Sequence, residues 1–272
     1  MDADLDRATD LLSGAGALLV CAGAGIGVDS GLPDFRGPEG FWRAYPPYRA
    51  LGLRFAEIAD PVHFLDDPEL AWGFYGHRLG IYRATVPHVG FEVLRAWSRQ
   101  RPTRVFTSNV DGQFQRAGLT DVAECDGSIH HLQCTLDCGQ PVWPADRVAV
   151  TVDETTMRAV SPLPRCPSCA GLARPNILMF GDVEWDPARS GLQMAAHRAW
   201  LREHRSDLAV VEIGAGNEIP TVRREAELAS ASTGALVRIN PREPDVRHGR
   251  GVGLAAPAAA TLTALDERLR GR

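Results

Sequence analysis

Five short runs along the chain are dominated by apolar and β-branched residues: Ala17–Ala22, Arg104–Asn109, Val122–Cys125, Leu208–Ile213 and Ala235–Asn240. Runs this short, with little polar alternation, suit strands buried on both faces of a parallel sheet. Between them apolar residues recur at helical spacing. Leu5 to Leu12 forms an amphipathic stretch before the first run, and Val89 to Arg99, Glu218 to Ala231 and Pro257 to Arg270 are helical candidates. The last has Pro near its start, where a missing N–H costs a helix nothing. Strand and helix in alternation predict an α/β fold with a doubly wound parallel sheet of Rossmann type.

Two segments break the alternation. Residues 41–88 carry aromatics at helical spacing and no convincing strand, which predicts an inserted helical module. Residues 134–179 hold four of the six cysteines and several prolines, and read as a small metal-stapled insertion. The Rossmann-like domain is then assembled from 1–40, 89–133 and 180–272. Neither an internal repeat nor a low-complexity segment is evident.

Composition narrows the function. The 272 residues are enough for one large core and a smaller attached domain. The net charge of −5 offers no basic field for gripping nucleic acid, so no direct nucleic-acid binding is expected. No apolar run approaches the roughly 20 residues that cross a membrane, and the acidic start lacks a signal-peptide pattern. A cytoplasmic protein with no membrane partner is expected, and in that reducing compartment structural disulfides are not. All 29 basic residues are Arg. Because Arg codons are mostly GC-rich and Lys codons AT-rich, this points to a bacterial chain from a GC-rich genome.

The cysteines carry the first chemistry. Cys134 and Cys138 form one close pair, Cys166 and Cys169 another. Two thiolate pairs in a cytosolic protein predict one tetrahedral zinc ion, and a closed four-Cys site leaves no position for water, so the metal is structural. Cys21 and Cys125 fall on predicted strands and read as small core residues.

The second is Gly23-Ala24-Gly25-Ile26-Gly27, directly after the first strand. Glycines here allow a phosphate to approach the backbone. Alone the segment also reads as a tight strand-to-helix turn, since it lacks the full dinucleotide-binding spacing. Two residues downstream the chain runs Asp29-Ser-Gly-Leu-Pro-Asp-Phe-Arg-Gly37. Together these stretches resemble the signature of the sirtuin family. The match runs over Gly23 to Ile26 and Ser30 to Arg36, with Leu32 a mild swap and Gly27 where the family usually has Ser. Thr107-Ser-Asn-Val-Asp111 resembles the family's second motif, Arg174 to Asp182 its Arg-Pro…Phe-Gly-Glu segment, and Ile239-Asn240 its ribose-binding block. The blocks stand in family order over nearly the whole chain.

The resemblance implies NAD as cofactor and acyl-lysine side chains of proteins as partners. It places Gly23, Ala24, Gly25, Asp34, Phe35 and Arg36 along the NAD site, with Phe35 over the nicotinamide ribose. Ser108, Asn109 and Asp111 would serve the nicotinamide pocket, Asn109 orienting water and ribose and Asp111 holding the carboxamide; locally the same residues also read as a strand-end Asx turn. Gly214, Gly216 and Asn240 would serve the adenosine half, although Gly216 stands where the family has Ser. Phe180 and Gly181 would contact substrate.

The pattern breaks at one position. Sirtuins carry a His as general base on the strand before the zinc domain, and Asp126 occupies that place in Glu124-Cys-Asp-Gly-Ser-Ile-His-His-Leu-Gln-Cys134. The base must take a proton from a ribose hydroxyl so that the hydroxyl can attack the acyl carbon. A carboxylate, at about 3.9, is more than two units weaker than imidazole unless burial raises it. A general base contributes about 10²–10⁴-fold, so impaired deacylation is expected. On an extended strand His130 would share a face with Asp126, roughly 13 Å away, too far to replace it directly. Asp126 is thus a poor base, a natural loss that leaves a binding protein, or an introduced substitution.

Tyr75 and Arg78, spaced i, i+3, would share a helix face. They resemble the Tyr-x-x-Arg pair of sirtuins that remove malonyl and succinyl groups, where a guanidinium fork suits the acyl carboxylate. A core aromatic beside a surface Arg is the alternative, and His77 reads as a helix-surface residue. The aromatic stretch Phe41 to Tyr48 reads equally as a lid or as packing. The expected function is an NAD-dependent protein-lysine deacylase yielding nicotinamide and O-acyl-ADP-ribose. The alternatives are an NAD hydrolase or ADP-ribosyltransferase, and a catalytically silent NAD- or acyl-lysine-binding protein.

Overall fold

A computed structural model describes residues 2–33, 41–42, 45–160, 162–247 and 249–271. Six strands form the main sheet: β1 (Ala17–Ala22), β2 (Thr103–Thr107), β3 (Val122–Glu124), β9 (Leu208–Ile213), β10 (Leu236–Ile239) and β11 (Val252–Leu254). Their order is β11-β10-β9-β1-β2-β3, and every pairing is parallel. All six residues of β1 and of β9 are buried. Those two runs lie side by side from Ala17↔Leu208 to Ala22↔Ile213, which explains why neither shows polar alternation.

Helices cover both faces. Leu18, Val20 and Ala22 face α1 (Asp2–Ser13), α6 (Val89–Ser98) and α10 (Ala258–Arg270) through Leu5, Leu94, Trp97, Leu262 and Leu265. Ala17, Leu19 and Cys21 face the opposite way, onto α8 (Ala188–His204) and α9 (Thr221–Ser230). Two of these elements escape the hydrophobic pattern. The 17-residue α8 buries only Ser190 and His197, so it carries no apolar stripe to read. Strand β11 is three residues long, and its Gly253 lies where any side chain would strike the Pro244 carbonyl.

Among the described residues between β1 and β2, α2 (Pro46–Ala50), α3 (Phe55–Ile58), α4 (Val62–Asp66) and α5 (Pro68–Ala84) precede α6. The Asp67 carboxylate caps α5 by accepting from the Leu70 N–H, with Pro68 at the first helical position. Beyond β2 a short turn, α7 (Gln113–Arg116), leads into β3. A second, antiparallel sheet comes next in the order β5-β4-β8, from β4 (Gly127–Cys134), β5 (Trp143–Pro144) and β8 (Ala173–Ile177). The ribbon β6–β7 (Thr151–Asp153, Arg158–Val160) packs on α5, where a side chain at Gly73 would overlap the Met157 carbonyl. An aromatic cluster including Phe41, Tyr45, Tyr48, Trp72, Phe74 and Tyr75 joins these parts, and the Trp72 indole donates to the Ala173 carbonyl at 2.8 Å.

Candidate functional site

Going from β1 the chain departs to β2 on one side, and returns through β9 on the other. This reversal creates a crevice at the strands' carboxyl ends. A cavity of about 760 Å³ opens there, within the usual range for a small-ligand site.

One wall is backbone. After Ala22 the chain turns into a 3-10 segment, Ala24–Ser30, instead of entering a full α-helix. Added Cβ atoms at Gly23 and Gly25 would lie 2.8 and 2.7 Å from the Cα atoms of Ala215 and Gly214. Gly214 itself has φ +65°, which favours glycine on conformation as well as on space. The glycines of the first motif are therefore required by the loop after β9. Gly23, Ala24, Ala215 and Gly216 line the cavity, whereas Gly25 and Gly214 are consumed in the seam behind it.

Past β2, Ser108, Asn109, Val110 and Asp111 reach the cavity. The Thr107 hydroxyl donates to the Ala22 carbonyl at 2.8 Å and accepts from the Asn109 N–H at 3.0 Å. The Asn109 side-chain amide donates to the Gly23 carbonyl at 3.1 Å, so this residue is held against the glycine loop. Asp111 accepts from the Gln113 N–H at 2.9 Å, the Asx turn expected from its sequence. Burial raises its carboxyl to about 6, against the opposing effect of that hydrogen bond.

Asp126 lines the same cavity from the turn between β3 and β4. Burial pushes its carboxyl upward, while the Cys125 thiol, donating to Oδ1 at 3.3 Å, opposes the rise. Cys21 is fully buried on β1, as expected of a core residue; Cys125 is partly buried, packs against the same apolar cluster, and in addition gives its S–H to Asp126. The strand argument for His130 also changes. Gly127 has φ +83° and β4 shifts register between Ser128 and Leu132, so alternation does not run evenly from Asp126. His130 Nε2 instead meets the Asp111 carbonyl at 2.9 Å.

The other wall comes from the helical module and from β8. Tyr75, Arg78 and Tyr82 of α5 line the cavity together with Phe55 and Phe180. Arg78 is buried, not a surface residue, and donates through Nε and Nη2 to the Tyr82 hydroxyl at 3.1 and 2.7 Å. Its guanidinium lies 5.2 to 5.8 Å from the ring centres of Phe74, Tyr82, Tyr75 and Phe55. Tyr75 stacks on Phe64 at 5.7 Å. Tyr82, four residues beyond Arg78, shares its helix face and was readable from that spacing. His77 is half-buried against Tyr45, at 5.3 Å, and does not sit on the helix surface. Behind Phe180 and Gly181, Arg174 and Asp182 form a buried pair at 2.7 and 2.8 Å that fixes the loop.

At the far end Asn217, Glu218 and Glu243 line the cavity, none of them foreseen. Asn217 donates to Glu243 at 2.7 Å. Asn240, expected at the ligand, instead donates to the Ala215 carbonyl at 2.8 Å and accepts from the Arg242 and Glu243 N–H groups. It shapes the loops around the cavity. Asp34, Phe35 and Arg36 lie outside the described residues.

The four paired cysteines converge away from this cavity, their sulfurs all within 4.8 Å of one another. Cys134 and Cys169 are 3.6 Å apart, as are Cys138 and Cys166. Four thiolates at about 2.3 Å from one zinc ion would stand roughly 3.8 Å apart, so the donor set fits. The Leu136 and Gly171 N–H groups donate to Cys134 and Cys169 at 3.3 Å, an arrangement that favours thiolates.

Comparison with known proteins agrees with this architecture. The Sir2 family model matches residues 23–210. The NAD-dependent protein deacylase 1 of Pseudomonas aeruginosa is 33% identical over 262 residues, covering 95% of this chain and 96% of its own. The mitochondrial NAD-dependent protein deacylase sirtuin-5 of Danio rerio is 32% identical over 197 residues, 66% of this chain and 62% of its own. A Sir2 homolog solved as an NAD complex superposes with a TM-score of 0.77 at 23% identity, covering 98% of this chain and 94% of that one. With a family model spanning most of the chain and a relative matched almost end to end, the chain belongs to the Sir2 family.

Proposed function

We propose that this chain is an NAD-dependent protein-lysine deacylase that takes acidic acyl groups, with Asp126 as its base. One observation carries the reading: Asn109, Asp111 and Asp126 line a single cavity with the backbone wall at Ala24 and Gly216 and the cationic wall at Arg78. When bound, NAD supplies the ribosyl carbon that the acyl oxygen joins as nicotinamide departs, the products being nicotinamide, free lysine and O-acyl-ADP-ribose. The names of the P. aeruginosa and D. rerio relatives support the reaction class.

Gly23, Ala24 and Gly216 admit the cofactor backbone to backbone, with Gly25, Gly214 and Asn240 holding those loops in place; Asp34, Phe35 and Arg36, outside the described residues, are carried as cofactor residues on the sequence motif alone. Ser108 and Asn109 orient the ribose side, and Asp111 accepts from the carboxamide. Phe180 and Gly181 seat the substrate chain. Arg78, steadied by Tyr82 and beside Tyr75, pairs with the acyl carboxylate; a guanidinium stays charged even when buried. Asp126 takes the hydroxyl proton, aided by the upward push that burial gives its carboxyl. Cys134, Cys138, Cys166 and Cys169 hold one structural zinc ion in a small domain over 134–179, between Rossmann-like stretches 1–40, 89–133 and 180–272 and beside the helical module 41–88. No helix among the described residues is long and apolar enough to cross a membrane. The acidic net charge favours protein over nucleic acid as the partner, the Arg-only basic set supports a bacterial source, and the acidic start of the sequence supports a cytoplasmic location away from membranes.

The test is nicotinamide release with an acetyl-lysine peptide, a succinyl-lysine peptide or none, for this chain, Asp126→His and Arg78→Met. The His variant should gain about 100-fold or more with peptide. Arg78→Met should lose succinyl turnover far more than acetyl turnover. Equal release without peptide in chain and His variant would sink the deacylase reading in favour of NAD hydrolysis, and equal losses on the two peptides would remove Arg78 from the acyl pocket.

A further inference from the structure

Asp126 is not alone at its turn. Cys125, the residue before it, stands partly exposed beyond the end of β3 and directs its Sγ to Asp126 Oδ1 at 3.3 Å. The Asp126 main chain is fixed as well, since its carbonyl accepts from the Leu178 N–H at 2.9 Å. We infer that Cys125 is a positioning residue: its thiol holds the Asp126 carboxylate in one orientation, with Oδ2 left for the substrate hydroxyl. The inference rests on the reading of Asp126 as the base.

The donor is permanently available. Burial, the neighbouring Asp126 charge and the more distant Glu225 of α9 all push the Cys125 thiol far above its ordinary range, so it keeps its proton wherever the protein is folded. Cys21 of β1 also lies within electrostatic reach of Cys125 and is likewise held protonated by burial. A carboxylate gains from such a donor and a carboxylic acid gains less, so the bond favours the ionised, basic form. It thereby opposes the burial that drives the same carboxyl upward. The charged groups lining the cavity with Asp126 are Arg54, Arg78, Asp111, Glu218 and Glu243. An ordinary apolar side chain at position 125 would leave the shorter Asp both undirected and more readily protonated.

The decisive measurement is the infrared S–H stretching band of the zinc-loaded protein, recorded from pH 4 to pH 8 alongside the pH dependence of kcat/KM. Four cysteines bound as thiolates carry no S–H, which leaves Cys21 and Cys125, and Cys125→Ala identifies the second band by difference. The Cys125 band should lie lower than in Asp126→Ala and step upward in frequency as Asp126 protonates. In kinetics, Cys125→Ala should move the acid limb upward by about half to one pH unit, a three- to tenfold loss on that limb. Cys125→Ser, which keeps an O–H donor, should restore it. A Cys125 band unchanged in Asp126→Ala overturns the inference outright. A band that shifts, in a protein whose turnover Asp126→Asn leaves unaltered, keeps the hydrogen bond but overturns its catalytic part and the base reading with it.

Discussion

The two walls of the cavity are built on opposite principles. Along the β1 and β9 side the surface is main chain, and Gly23, Gly25 and Gly214 are packed so closely that no side chain fits between them. Along the α5 and β8 side it is side chain: a buried guanidinium among four aromatic rings, and a loop pinned by the Arg174–Asp182 pair. A main-chain wall can present amide groups to a phosphate whatever its neighbours do. A side-chain wall can change what it recognises by a single substitution, which is what a choice among acyl groups requires.

The sharpest way to break this comparison is to remove the metal. Structural zinc contributes roughly 10–16 kcal/mol in small sites. A chelator, or Cys138→Ser, should release the end of β4 at Cys134, the loops that carry the other three cysteines, and then β5 and β8. Strands β1 and β9, buried in the six-stranded sheet, should keep their amide protection in hydrogen exchange. Uniform loss of protection would mean that the walls fold as one unit. A smaller break is Arg174→Ala. It strands the Asp182 carboxylate, 0% exposed, without its cation, and should cost about 3–5 kcal/mol in urea unfolding. Substrate affinity should fall with it, because the Phe180 loop loses its anchor; a loss under about 1 kcal/mol would show that the loop is held elsewhere.

The mildest effect lies between the two walls, at the Asp111 carboxyl beyond β2. Asp111 titrates at about 6 in the fold, above its unfolded value near 3.9. Between those values the folded protein binds more protons than the unfolded chain, so this group lowers stability as pH rises from about 4 to about 6 and no further above that. The total is on the order of 2–3 kcal/mol. Asp111→Asn should flatten stability across that window in pH-dependent thermal unfolding, and an unchanged profile would place the titration on another group.

The same contrast decides what could be read from the chain. Backbone demands leave single-residue marks: the glycines after β1, the cysteine pairs and the fully buried, mostly apolar β1 and β9 were all legible, and with them the doubly wound sheet. Helix α8 was not, because its buried positions are Ser190 and His197 and its apolar residues are scattered. At the site, Asn109, Asp111, Asp126, Tyr75 and Arg78 reach the cavity together, but Tyr82, Asn217 and Glu243 escaped notice. Tyr82 matters through Arg78, and the i, i+4 spacing alone offered that pairing; the part of Asn217 and Glu243 depends on contacts across 26 residues of chain and on the turn at Asn240. Asn240 shows the converse, a motif residue whose side chain is used up inside the protein.

Arg78 has one more consequence. An enzyme that handles acylated amines works among activated acyl donors, and those react with any unprotonated lysine they meet. A guanidinium remains protonated near neutral pH and is a poor nucleophile. Arg78, like all 29 Lys-or-Arg positions of this chain, is a guanidinium and therefore resistant to the modification the site is proposed to erase. The 272 residues contain no lysine side chain to carry the mark.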